Sequence, residues 1–164
     1  MAKKPGVLLL VLLLTASLLW GCSGKDARQT VTCQELTLSL PGSYLDLSDT
    51  VSSDEAAFVY GYENIVVMAT WEDAATLEAY VPGLDALQYA QLFVQTNQLD
   101  SDVTEQDGIP VFTYTVTGED TSLTYLCGVF QSEARFWVVQ VYCPASQFAE
   151  CQEQMHAILS SVTI

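Results

Sequence analysis

The chain has 164 residues, 20 of them Asp or Glu against 5 Lys or Arg, for a formal net charge of −15 at neutral pH. That balance excludes nucleic acid as a partner and disfavours anionic lipid headgroups, because both are held by Lys and Arg that neutralise phosphate. The length fits one domain with one core.

Lys3 and Lys4 precede a thirteen-residue apolar run, Val7–Leu19. This is the shape of a secretory leader and falls short of the roughly 20 apolar residues that a membrane-spanning helix needs. Leu18, Leu19, Trp20, Gly21 and Cys22 close the run, and together they resemble the lipobox of bacterial lipoproteins. The resemblance implies cleavage after Gly21, a diacylglycerol on the Cys22 thiol, and a lipid-anchored place on the extracytoplasmic face of a bacterial membrane. Gly21 and Cys22 match the pattern; Trp20 stands where the family usually has a small or medium residue. Losing residues 1–21 removes Lys3 and Lys4, so Lys25, Arg28 and Arg135 remain against 20 carboxylates, a formal charge of −17. Ser23–Thr32 is polar and aperiodic. Residues 22–32 therefore read as the lipidated Cys and a flexible linker, reaching about 15–20 Å, and residues 33–164 as a single domain.

From Val31 to Leu40 apolar and polar residues alternate, which predicts one strand ending at the Pro41-Gly42-Ser43 turn. Ala57–Tyr62 and Ile65–Trp71 are β-rich runs separated by Glu63-Asn64, a predicted hairpin. After Pro82-Gly83, Leu84, Leu87, Ala90, Phe93 and Val94 recur at helical spacing through Gln98, with Asp85 placed favourably near the helix start. Asp107-Gly108 is a turn between Asp102–Gln106 and Ile109–Thr117. Ser122–Gln131 and Arg135–Cys143 are strands joined through Ser132, Glu133 and Ala134, rich in aromatic and β-branched residues. A last helix follows Pro144, with Phe148, Cys151, Met155, Ile158 and Leu159 on its apolar stripe. Val162 and Ile164 add a short closing strand. This order predicts an α+β domain, an antiparallel β-sheet with helices packed on it.

Particular segments then resemble a known family. They are the Leu36–Tyr44 strand with its Pro-Gly turn, the helix holding Tyr89 and Ala90, the Asp107-Gly108 hairpin, the Phe136–Val141 strand, Cys143-Pro144-Ala145, and the terminal helix ending in Ile158, Leu159, Ser160 and Val162. Together they look like the PsbP-like superfamily, which includes an extrinsic subunit of photosystem II and many bacterial lipoproteins. The resemblance implies an antiparallel sheet with helices on its faces, and adaptor or assembly work rather than catalysis. It carries over no metal or cofactor residue.

Besides Cys22 there are Cys33, Cys127, Cys143 and Cys151. An even number outside the cytoplasm suggests disulfides. If the two long strands pair around Glu133, Cys127 faces about Gln140. That puts Cys143 about three residues away, at about 3.3 Å each, beyond disulfide reach. Cys143 with Cys151 and Cys33 with Cys127 are the expected pairs, set against four buried free thiols.

Chemistry is sparse. His156 is the only histidine, and there is no nucleophile elbow, metal-binding His pair or phosphate-cradling Gly loop. Asp100, Asp102, Glu105 and Asp107 lack EF-hand spacing, because Glu105 and Val111 occupy the positions of its Gly and final Glu. Glu72 with Asp73 and Glu119 with Asp120 are ordinary strand-end pairs. Tyr60, Tyr62, Trp71, Tyr80, Tyr89, Tyr125, Phe136, Trp137 and Tyr142 are mostly core, an exposed subset being suited to binding a peptide or glycan. The expected function is non-enzymatic and free of cofactor or metal: an envelope domain that binds a protein partner as adaptor or assembly factor, or else a ligand-binding lipoprotein for a small or cationic solute. A pocket with converging polar groups would favour the second, a contiguous apolar patch the first.

Overall fold

The computed structural model describes residues 27–50 and 56–164. The leader, the lipobox with Cys22, and the first residues of the expected linker lie outside the described residues.

Two strands, β1 (Arg28–Cys33) and β2 (Leu36–Pro41), form a hairpin. The single strand predicted over Val31–Leu40 is therefore two. The chain reverses at Gln34-Glu35, where Gln34 adopts φ 54° and Cys33 pairs with Leu36. The apolar positions shift phase by one residue there, from Val31 and Cys33 to Leu36, Leu38 and Leu40, and that shift marks the turn. The ordered domain also starts earlier than Cys33, because Arg28–Thr32 belongs to β1 rather than to a linker.

The second sheet is antiparallel with seven strands among the described residues. In spatial order they are β3 (Leu45–Asp46), β4 (Phe58–Tyr62), β5 (Ile65–Asp73), β9 (Arg135–Pro144), β8 (Ser122–Gln131), β7 (Ile109–Thr117) and β6 (Thr104–Gln106). The predicted hairpins are present. Glu63-Asn64 joins β4 to β5, and Asp107-Gly108 joins β6 to β7. Asp107 (φ 52°) and Gly108 (φ 79°) both lie in the left-handed region, as a two-residue hairpin with primed geometry demands. Cys127 pairs with Gln140, the register inferred from the Glu133 turn.

Helices α1 (Ala74–Glu78), α2 (Ala86–Thr96) and α3 (Phe148–Leu159) complete the fold. Asp85 is the N-cap of α2. Its carboxylate accepts from the Gln88 N–H at 2.8 Å while Gln88 Oε1 accepts from the Asp85 N–H at 3.1 Å, a reciprocal capping box. The short α1 escapes the apolar pattern because it buries no residue and is set by its own cap, Asp73 accepting from the Thr76 N–H at 2.8 Å. The expected closing strand is reduced to one bridge, Thr163 to Thr37.

The large sheet is covered on both faces. Against one face pack α3 and the β1–β2 hairpin, burying Leu36, Leu38, Leu40, Val67, Ala69, Trp137, Val139, Val141, Met155 and Ile158. Against the other lies α2, with Tyr89 and Ala90 on Phe112, Cys127, Val129, Phe136 and Val138. This is the reason Phe136–Val141 reads as a near-continuous apolar run: both sides of the pleat are buried.

One polar cluster joins the two sheets. Glu35, in the β1–β2 turn, accepts from Ser132 Oγ (2.7 Å) and Trp137 Nε1 (3.0 Å) on Oε1, and from Arg135 Nη1 (2.7 Å) on Oε2. Trp137 is fully buried and its indole N–H requires a partner, which Glu35 supplies. The Arg135 guanidinium also lies over Trp71, 4.6 Å from the ring centroid. Burial pushes the Glu35 carboxyl up, but the Ser132 and Trp137 hydrogen bonds and the Arg135 charge outweigh it and hold the carboxyl at about 2. The folded value lies below the unfolded 4.5, so the stabilisation is complete above that pH and is lost as pH falls towards about 2. Glu35→Gln should lower unfolding free energy near neutral pH by about 1–2 kcal/mol, with wild type and variant converging in acid. Urea titrations at about pH 7 and about pH 3 read both effects. An equal gap at the two pH values would remove the charge from the account.

Candidate ligand groove

Helix α2 packs over β7, β8 and the first half of β9, so on that side of the sheet β5 is left uncovered. The alternation of β5 places Val66, Met68, Thr70 and Glu72 on this open strip, the first three half-buried and Glu72 exposed. Between the strip and α2 lies a groove of about 850 Å³. Thr70 and Gln140 belong to its sheet side, Tyr89, Leu92, Phe93, Thr96 and Asn97 to its helix side, and Trp71, Glu72 and Leu77 also line it.

Two hydroxyls set its polar groups. The Tyr89 hydroxyl donates to Glu72 Oε1 at 3.1 Å. Burial first, and then the Glu72 charge, push the Tyr89 hydroxyl well above the ordinary tyrosine value, so it stays protonated as a donor. The Tyr114 hydroxyl donates to Gln140 Oε1 at 3.3 Å. Burial likewise pushes Tyr114 up. Tyr114 is itself fixed in a cross-strand row, stacked on Tyr125 at 4.8 Å between centroids, with Tyr125 4.7 Å from Tyr142. Those rings face one another, so they brace the Gln140 end of the groove rather than offer flat faces to a ligand. Tyr89 is braced in the same way on Phe136 at 4.8 Å.

The groove offers hydrogen bonds, one carboxylate held by Tyr89, and the Phe93 ring on its helix side. No cysteine, serine or histidine lines it among the described residues. Glu72 was visible in the sequence only as half of a strand-end acidic pair, and Tyr89 as one aromatic among nine and as part of the PsbP-like resemblance, with no link to Glu72. Gln140 carried a signal: it is the one amide inside the Phe136–Tyr142 run, an uneconomical residue for a strand buried on both faces unless it has a partner. Asp100 and Asp102 border a different depression, beside Thr113.

The cysteines do not meet in the groove. Cys143 and Cys151 lie on the α3 side of the sheet, where Cys143 Sγ is 3.8 Å from Met155 Sδ, and Met155 is one helical turn beyond Cys151. Burial and the neighbouring Cys151 thiol push Cys143 up to about 11. Cys33 shares that side, whereas Cys127 is fully buried under α2 on the opposite face. The expected Cys33–Cys127 bond is thereby excluded, because the sheet separates the two sulfurs. All four are thiols in this structure. Among the described residues no helix is long and apolar enough to cross a membrane.

No family model and no curated protein sequence matches the chain. Solved structures do match. The solution structure of cyanobacterial PsbP, CyanoP, from Synechocystis superposes with a TM-score of 0.59 over 88% of this chain and 96% of that one, at 10% identity. The fold is PsbP-like. A crystal structure from Bacteroides thetaiotaomicron gives a TM-score of 0.53 at 8% identity, covering 85% of this chain and 48% of that one. LpqN of Mycobacterium tuberculosis, described as involved in cell envelope biogenesis, gives 0.45 at 12% identity, over 84% of this chain and 90% of that one. The antiparallel sheet with helices on its faces is the architecture that the sequence resemblance implied.

Proposed function

We propose that the protein is a non-enzymatic ligand-binding domain, held by a diacylglycerol on Cys22 at the extracytoplasmic face of a bacterial membrane, and that its ligand is a small solute bound in the groove beside α2. The observation that carries this reading is the groove itself. Its volume of about 850 Å³ suits a small molecule, and its polar groups are held in place before any ligand arrives by the Tyr89 and Tyr114 hydroxyls. A protein adaptor would call instead for a contiguous apolar patch. Among the described residues the large exposed apolar side chains are Leu45, Tyr62, Trp71, Tyr80, Val81, Val116 and Ile164, with Tyr80 next to Val81 and Leu45 on the strand paired beside Tyr62. The preformed groove is what favours the solute reading over the adaptor.

The test is a small-molecule panel followed in amide spectra of the full chain in detergent micelles. Binders should shift Thr70, Phe93, Thr96, Asn97 and Gln140 together, and Phe93→Ala should weaken them about tenfold. Shifts scattered over the surface would sink the groove as the site. The anchor is tested separately, since a metabolic fatty-acid label should enter wild type but not Cys22→Ala, and equal labelling of both would remove it.

The same compartment promotes disulfides, and Cys143 and Cys151 lie on one side of the sheet. We infer that exported protein closes Cys143–Cys151, tying the end of β9 to α3, while Cys33 and Cys127 stay as thiols. Alkylation of unfolded, unreduced protein lacking the Cys22 thiol should then add two groups, rising to four after reduction. Four groups without reductant would overturn the bond.

A further inference from the structure

The electrostatics of the groove point to the charge of its ligand. Glu72 is the one carboxylate among the groove-lining residues, and no Lys or Arg lines it. Its Oε1 is held by Tyr89, while Oε2 accepts no hydrogen bond from the described side chains. Helix α2 reaches the groove with Thr96 and Asn97 and has no basic residue in its last turn, so the negative end of its dipole is uncompensated there. The half-buried Phe93 ring adds aromatic surface on the helix side. Beyond the groove, a chain bearing −17 after loss of the leader draws cations and repels anions.

We propose that the ligand is a small organic cation, an amine or quaternary ammonium with an apolar body, with Glu72 as its counter-charge and the half-buried Phe93 ring as its cation–π surface. This rests on the ligand-binding reading of the groove and adds the chemical class. The single carboxylate matches one positive charge. The apolar contributions of Leu77, Leu92 and Phe93 match a body that fully hydrated metal ions lack, and the volume fits a free solute better than a protein segment.

The experiment compares choline with its uncharged carbon isostere, 3,3-dimethylbutan-1-ol, on the full chain in uncharged detergent micelles, by calorimetry and amide shifts. Choline should bind saturably, with shifts at Thr70, Thr96 and Asn97, and the isostere at least tenfold more weakly. Glu72→Gln keeps an acceptor for Tyr89. With its thermal midpoint unchanged, it should lose about tenfold for choline and nothing for the isostere. Equal affinity of the two probes at the groove overturns the cation while leaving the groove as a site. So does a panel compound that binds there when choline does not. Binding of neither probe nor any panel compound overturns both readings. Shifts reproduced by sodium chloride at equal ionic strength overturn the proposal as mere screening. Full choline affinity in Glu72→Gln overturns it as well. Binding of a tetralysine peptide in place of choline overturns the small-solute form.

Discussion

The burial of β9 on both faces is the constraint from which the rest of the architecture follows. A strand reading Phe-Trp-Val-Val-Gln-Val has no side that can face water, so each face of the sheet needs its own cover. One cover is made by α3 and the β1–β2 hairpin, the other by α2. A single eleven-residue helix is too narrow to cover seven strands, since neighbouring strands are spaced at about 4.8 Å and a helix with its side chains spans about 10–12 Å. The groove is the strip that α2 leaves over β5. It results from the mismatch between one helix and a wide sheet, and the tyrosines bordering it keep it polar and ordered.

The scarcity of positive charge sharpens the role of each cation. Among the described residues only Arg28 and Arg135 carry one. Arg28 binds Ser39 within the hairpin, at 2.7 Å from both its hydroxyl and its carbonyl oxygen. Arg135 completes the Glu35 cluster that ties the hairpin turn to the β8–β9 turn. Both are spent on holding the hairpin in place, which leaves the remaining carboxylates, Glu72 included, without a basic side chain beside them in the groove. A surface of this kind is a filter by sign of charge, and the groove is the place where that sign meets apolar contact area.

Much of the sheet was legible because its signals are local. Glu63-Asn64, Asp107-Gly108 and Ser132–Ala134 are turn chemistries whose flanking strands declare themselves by composition, and the charge of Asp85 placed it at the start of α2, its pairing with Gln88 emerging only in the fold. The misreadings have physical causes. The β1–β2 turn is made by Gln34-Glu35, a pair without Gly, Pro, Asn or Asp, so its only signal along the chain is the one-residue shift of apolar phase between Cys33 and Leu36. The start of β1 is polar because Arg28–Thr30 is held by hydrogen bonding to β2 rather than by burial. Cys33 and Cys127 are both apolar-face cysteines, and nothing along the chain tells which of two buried faces each one joins.

By itself the sequence determined what depends on neighbours in the chain: an apolar N-terminal run whose end resembles a lipobox, the acidic balance, most of the strands and turns, and helix α2 with Asp85 at its start. Only the tertiary structure decided what depends on distance across the fold. It brought Glu72 from β5 to Tyr89 on α2, and Gln140 from β9 to Tyr114 on β7. It placed Glu35 against Arg135 and Trp137, a hundred residues away, and it put the sheet between Cys33 and Cys127. Alternation and helical spacing report that a residue is buried, but a sheet covered on both sides has two interiors. Which interior a residue enters, and what it meets there, is set by strand order and helix placement.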